Sequence, residues 1–188
     1  GGKKEVTLNF PKGEYHIYKD KAQKREYHTS NTKSIENPVK TIGILIEEQK
    51  NLTIEGNGSL FMMHGNMMAL AVAKSENITL HNFSWDFAVP TVSEMTVTNM
   101  GESGGRDYTD FYIPNCFPYE IQGNTILWKS ENSPYTNYPY WTEKGIHNSY
   151  AVVAYQPDDE MTRNYYTNQG PFQNAIKIEK LENNQVRV

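Results

Sequence analysis

Apolar and polar residues alternate over short stretches along this chain, and between Ile42 and Phe87 the alternation recurs at a fixed interval. Asn51-Leu52-Thr53-Ile54-Glu55-Gly56 is answered 26 residues later by Asn77-Ile78-Thr79-Leu80-His81-Asn82, and upstream Ile44 and Ile46 correspond to Leu70 and Val72. Period-two alternation places Leu52 with Ile54, and Ile78 with Leu80, on one face of a strand. An internal repeat of this length, built on such strands and punctuated by Asn and Gly, predicts a stacked β-solenoid. Asn51 and Asn77 fall at turns, where Asn tolerates a left-handed backbone and its amide bonds to neighbouring groups. In a stack, equivalent Asn side chains come within reach of one another like rungs. Gly56-Asn57-Gly58 marks the next corner. Both Asn-x-Thr triplets fit the glycosylation acceptor pattern, but their equivalence within the repeat favours the structural role.

Ahead of the repeat, Val6, Leu8 and Phe10 alternate as a strand, Pro11-Lys12-Gly13 turns, and Tyr15 and Ile17 resume. The charged stretch from Lys19 to Lys40 predicts a protruding loop with room for one helical turn near Ala22–Arg25. After Phe87, Ala88-Val89-Pro90 ends the repeat. Alternating segments then follow at Val92–Asn99, Tyr108–Ile113, Tyr119–Gln122, Thr125–Trp128, Tyr150–Gln156 and Ala175–Leu181. Gln122-Gly123-Asn124-Thr125 and Glu182-Asn183-Asn184-Gln185 predict tight hairpin turns. The fold class is therefore all-β, with parallel β-helix coils over 1–90 and an antiparallel barrel or sandwich over 91–188. Stacked repeats need cover at both ends, and the strand opening at Gln185-Val186-Arg187-Val188 leads us to expect a longer parent protein.

Composition narrows the partners. The chain has 188 residues, enough for a substantial core, with 13 Tyr, 7 Phe and 3 Trp against one Cys. A net charge of -4 and a pI near 5.8 supply no basic field, so nucleic acid is not an expected partner. No run reaches the roughly 18 apolar residues that cross a bilayer, so membrane insertion is not expected. Cys116 has no second cysteine to pair with and is expected to be a small buried residue. His16, His28, His64, His81 and His147 show no ligand spacing, so neither a metal nor another cofactor is expected. Gly101-Glu102-Ser103-Gly104-Gly105 lacks the following helix that a phosphate cradle needs and reads as a loop. Gly1-Gly2 looks like a processing scar, which implies a removed signal peptide and a periplasmic or extracellular location.

Four residues suit contact with a sugar. Trp85 and Asp86 are strand neighbours, so they face opposite sides and cannot both be buried. An aromatic beside a carboxylate offers a stacking surface and an acceptor for hydroxyls; the competing role for Asp86 is to accept backbone donors at a corner. His64, before Gly65, is either a contact residue or a corner histidine. Trp141 closes the aromatic loop Pro134-Tyr135-Thr136-Asn137-Tyr138-Pro139-Tyr140-Trp141, which serves contact or packing. His81 stands opposite Glu55 one coil below, as a cross-coil pair would.

The ordered set of Phe10-Pro11-Lys12-Gly13-Glu14-Tyr15, Lys50-Asn51-Leu52-Thr53-Ile54-Glu55-Gly56-Asn57-Gly58-Ser59, His64-Gly65, Ser75-Glu76-Asn77-Ile78-Thr79-Leu80 and Phe83-Ser84-Trp85-Asp86-Phe87 with Pro90 resembles glycoside hydrolase family 110. The likeness covers 6–100 and continues more weakly through Ala151–Tyr166, where Tyr155-Gln156-Pro157-Asp158 and Arg163 look like the family's inserted barrel. The resemblance implies a right-handed parallel β-helix interrupted by that barrel. It also implies inverting hydrolysis of terminal α-1,3-linked galactose from a galactose-terminated glycan. Inversion takes two carboxyl groups about 6.5–9.5 Å apart, one acid and one base. The family's Asp-Asp-type motif has no match here: Asp158-Asp159 follows Pro157 and reads as a loop. The catalytic residues are thus expected beyond Val188. A non-catalytic carbohydrate-binding or adhesin-like solenoid is the alternative. A β-helix lyase, which needs Ca²⁺ or basic catalytic residues, has less support. An exposed β-edge makes homo-oligomers an expectation.

Overall fold

The computed structural model describes residues 4–28, 36–91, 93–145, 151–155, 162–166, 172 and 175–188. Every regular element among them is a β-strand. The chain divides into two compact units, Gly1–Ala88 with Ser133–Asn137, and Val89–Asn132 with Tyr138–Val188.

The first unit contains β1 (Val6–Asn9), β2 (Glu14–Tyr18), β3 (Gln23–Glu26), β4 (Val39–Glu47), β5 (Lys50–His64), β6 (Met68–Ala73) and β7 (Glu76–Phe87). Strand β5 is central: β1 and β2 pair with its two halves on one side and β7 on the other, all parallel. Strand β4 pairs parallel with β6. The sequence repeat reappears as register, with Leu52 beside Ile78, Ile54 beside Leu80, Ile44 beside Leu70 and Ile46 beside Val72.

The corners explain the polar punctuation. Asn51 and Asn77 have φ of 54° and 55°, and the Asn77 Nδ2 amide donates to Asn51 Oδ1 at 2.8 Å. This is the rung expected from the repeat. At the next corner three residues, Gly56-Asn57-Gly58, stand against the single Asn82, so the pairing resumes with Ser59 beside Phe83. A Cβ on Gly56 would lie 2.5 Å from Phe83 Cβ and 2.6 Å from the Asn82 carbonyl oxygen, which leaves room only for glycine. Ile42, Ile46, Ile54, Phe61 and Met63 form the buried interior. The Phe61 ring meets Phe10, Tyr15 and Phe83 at centroid distances of 5.2, 5.3 and 5.3 Å.

The helical turn expected near Ala22–Arg25 is instead strand β3, antiparallel to β4. A lone helical turn fixes several dihedrals for one hydrogen bond, whereas extension brings Arg25 Nε to Glu47 at 2.9 Å and Tyr27 Oη to the same carboxylate at 3.1 Å.

The second unit contains β8 (Ser93–Ser103), β9 (Arg106–Tyr112), β10 (Tyr119–Gln122), β11 (Thr125–Lys129), β12 (Thr142–Lys144), β13 (Ala151–Tyr155), β14 (Thr162–Tyr166), β15 (Glu179–Lys180) and β16 (Gln185–Arg187). They form a sheet in the order β14-β13-β8-β9-β16-β15 and a second in the order β10-β11-β12. Among the described residues neither closes on itself, and all pairs but β8 with β13 are antiparallel. Met95, Ile113, Ile126, Trp128 and Val186 are fully buried in its core. Both expected hairpin turns are present, with positive φ at Gly123, Asn183 and Asn184.

Three expectations change here. The glycine-rich run is the tight turn of the β8–β9 hairpin, with Gly104 and Gly105 at φ of 62° and 74°. The strand expected over Ala175–Leu181 shrinks to Glu179–Lys180. Cys116 is exposed, because Phe117 next to it takes the buried position. His147, Gln156-Pro157-Asp158 and Asp159 lie outside the described residues.

Candidate functional site

Strands β2, β5 and β7 lie side by side, and alternation sorts their residues onto two faces. Ser59, Phe61 and Met63 are buried, so Leu60, Met62 and His64 occupy the outer face. Register then aligns Glu14, His16 and Tyr18 with Leu60, Met62 and His64, and aligns Ser84 and Asp86 with Leu60 and Met62. Asp86 and His64 therefore share one face, on adjacent strands and one alternation apart. Trp85 pairs with Phe61 and belongs to the opposite face, where it is 49% exposed. Trp141 belongs to the second unit, partly buried against that unit's core. Within the first unit, Asp86 and His64 share a face and Trp85 belongs to the other.

The structure adds neighbours to them that the sequence did not single out. His16 Nδ1 lies 2.8 Å from His64 Nε2, and Glu14 Oε1 lies 3.4 Å from His16 Nε2. Tyr18 stacks on His64 with centroids 4.5 Å apart and planes 16° from parallel. Tyr135 meets Tyr18 edge-on at 5.9 Å, and the Lys21 ammonium sits 4.6 Å from the Tyr135 ring centre. Ser133 anchors this aromatic segment by donating to Asp20 at 3.0 Å and accepting from the Tyr135 and Thr136 amides. Lys19 donates to Asn66 and is held below the usual lysine range by burial, with Lys24 adding repulsion. Asp86 Oδ1 accepts from the Phe87 amide at 2.7 Å, so one oxygen serves the backbone as the competing role required.

Elsewhere the charges are mostly internally satisfied. Glu55 accepts from the Asn57 amide at 2.7 Å and Asn82 at 3.0 Å, with His81 at 3.1 Å, the cross-coil pair expected. The Asn57 N–H is the main cause holding Glu55 below the usual carboxylate range. In the second unit a groove of about 680 Å³ is lined by Arg106, Asp107, Tyr108, Asn124 and Arg187 among others. Arg187 bonds the buried Asp110 at 2.7 and 2.8 Å and lies 3.9 Å from the Tyr108 ring centre. Among the described residues no group of three or more His, Cys, Asp or Glu is placed to hold a metal ion. No described helix is long and apolar enough to cross a membrane.

Comparison with known proteins places this all-β chain among homologues named as glycosidases. No family model matches the chain. It is 35% identical over 159 residues to an α-1,3-galactosidase A of Streptomyces avermitilis, covering 84% of this chain and 25% of that protein. An α-1,3-galactosidase B of Bacteroides thetaiotaomicron is 31% identical over 156 residues, covering 82% of this chain and 22% of its own length. An α-1,3-galactosidase B of Phocaeicola vulgatus is 42% identical over 100 residues, or 53% of this chain and 16% of that protein. The resemblance to glycoside hydrolase family 110 is borne out by these relatives, of whose length the chain spans a quarter or less.

Proposed function

We propose that the protein is a glycoside hydrolase that removes terminal α-1,3-linked galactose with inversion, and that these 188 residues supply scaffold and substrate contacts. The observation that carries this reading is identity of 31–42% to proteins named for that activity. The parallel pairs of the first unit, in register at the sequence repeat, support the finer architecture of right-handed β-helix coils followed by an inserted antiparallel barrel-like domain. The glycan lies against the outer face of β2, β5 and β7, where Asp86 and His64 offer hydrogen-bond partners and Tyr18 and Tyr135 offer aromatic surface. The two catalytic carboxyls are contributed by other parts of the parent protein, whose location is periplasmic or extracellular.

The test is galactose release from a terminal α-1,3-galactoside by the full-length protein and by the 188-residue chain. Release by the first alone is the expected outcome. If neither releases galactose yet both bind the glycan, the protein is a carbohydrate-binding solenoid. Release by the short chain would overturn the placement of the catalytic groups.

A further inference from the structure

The outer face of β2 and β5 carries a second chemistry, at a histidine that it shares with the glycan surface proposed above. We infer that His16 and His64 form a binding site for a divalent transition-metal ion, Cu²⁺ ahead of Zn²⁺, with Glu14 as the positioning residue behind His16.

His16 Nδ1 and His64 Nε2 point at each other across adjacent strands at 2.8 Å. In such an imidazole pair one nitrogen donates and the other accepts, so both nitrogens face the same gap, and an ion that replaces the shared proton meets a lone pair from each ring. An ion held by both nitrogens at its usual distances of 2.0–2.1 Å separates them by about 3.3 Å at a tetrahedral angle. A small rotation of the His16 ring provides this, since its side chain is 44% exposed.

The surroundings prepare the pair for that role. Glu14 Oε1 lies 3.4 Å from His16 Nε2, where the carboxylate favours a proton on that nitrogen and so presents Nδ1 to the ion. Carboxylate, imidazole and metal in that order is a recurrent arrangement, in which the carboxylate also raises ligand basicity. Tyr18, stacked on His64 and braced by Tyr135, restrains the second ring. The parallel register that sets Tyr18 beside His64 and His16 beside Met62 fixes the diagonal on which the two histidines meet.

The donor set selects the ion. Two imidazoles suit Cu²⁺ and Zn²⁺, and Cu²⁺ outranks Zn²⁺ at a given nitrogen site. Ca²⁺ and Mg²⁺ take oxygen ligands and are excluded. With no third protein ligand placed among the described residues, the remaining positions go to water or to hydroxyls of a bound molecule, so the site is open.

Isothermal titration of the full-length protein with CuCl₂, ZnCl₂ and CaCl₂ tests this, compared with the variants His16→Gln, His64→Gln and Glu14→Ala. The expected result is a Cu²⁺ site tighter than its Zn²⁺ counterpart and no Ca²⁺ binding. Each histidine substitution should weaken Cu²⁺ by more than about tenfold, and Glu14→Ala by about 10–100-fold, the usual effect of losing such a carboxylate. Electron paramagnetic resonance of the Cu²⁺ form should show two nitrogen ligands. Unchanged affinity in His16→Gln, whose melting temperature is measured alongside, overturns the inference. So does an absence of saturable Cu²⁺ binding. Because metal binding is read without the hydrolysis assay, failure of the galactosidase reading leaves this result standing.

Discussion

Asn51 and Asn77 each hold a left-handed backbone, a cost that asparagine or glycine keeps small. Their side chains satisfy each other across coils at 2.8 Å. Asn51→Ala should therefore lose the rung and pay the backbone strain, about 1–2 kcal/mol, and Asn51→Gly should cost less. Urea midpoints of the two variants check this, and equal losses would show that the backbone conformation contributes nothing. A different residue governs acid stability. The Arg187 guanidinium holds the Asp110 carboxyl below its usual range, assisted by Asn99. A carboxyl with a depressed folded value contributes its stability above the unfolded value, near 3.9, and loses it as pH falls through the folded one. Melting temperature should thus fall in that acid window for the wild type, and Asp110→Asn should flatten the fall while lowering stability at neutral pH. A variant with the wild-type acid profile would exclude Asp110 as a cause. The histidine pair was invisible at this scale, because His16 and His64 stand 48 residues apart and no local spacing links them.

Elements built on the repeat were legible because one rule, alternation at a fixed interval, set both strand and register. The parallel partnership of β5 with β7 and of β4 with β6 follows from matching Leu52 to Ile78 and Ile44 to Leu70. Strand β2 was legible as a strand but not as the neighbour of Leu60–His64, since the charged excursion between β2 and β4 breaks the interval. That hid Glu14, His16 and Tyr18 from the candidate site. Strand β3 was missed for another reason: its residues are polar, and its extension is set by Glu47 on the neighbouring strand. Gly56 gives the test at this scale. The Cβ of Gly56→Ala would meet backbone and Phe83 at 2.5–2.6 Å, forcing β5 and β7 apart at their shared corner. Overpacking of that kind costs about 1–3 kcal/mol. Gly58→Ala, where a Cβ meets open space, isolates the backbone contribution. Chemical denaturation of both should show the larger loss for Gly56→Ala if contact decides, and the reverse order would assign the corner's requirement to φ at Gly58.

At the scale of the whole molecule the question is what the free strand edges do. Among the described residues β7 bonds only to β5 and β6 only to β4, leaving an N–H and C=O row unpaired on each. Large apolar side chains stand beside those rows, with Trp85 49% and Val72 45% exposed. Edges of this kind recruit further strands unless charge, proline or a bulge blunts them. Strand β7 carries none of these between Ser84 and Phe87 except Asp86, which points to the outer face and leaves the inner row apolar. The 188-residue chain should therefore self-associate as its concentration rises, with sedimentation velocity showing a shift from monomer to dimer. Trp85→Lys places a charge on the row that the partner strand must cover, and it should return the chain to monomer without lowering its own melting temperature. A wild-type chain that stays monomeric across the same range would show that the edge is protected, and the association expected from its exposure would fall with it.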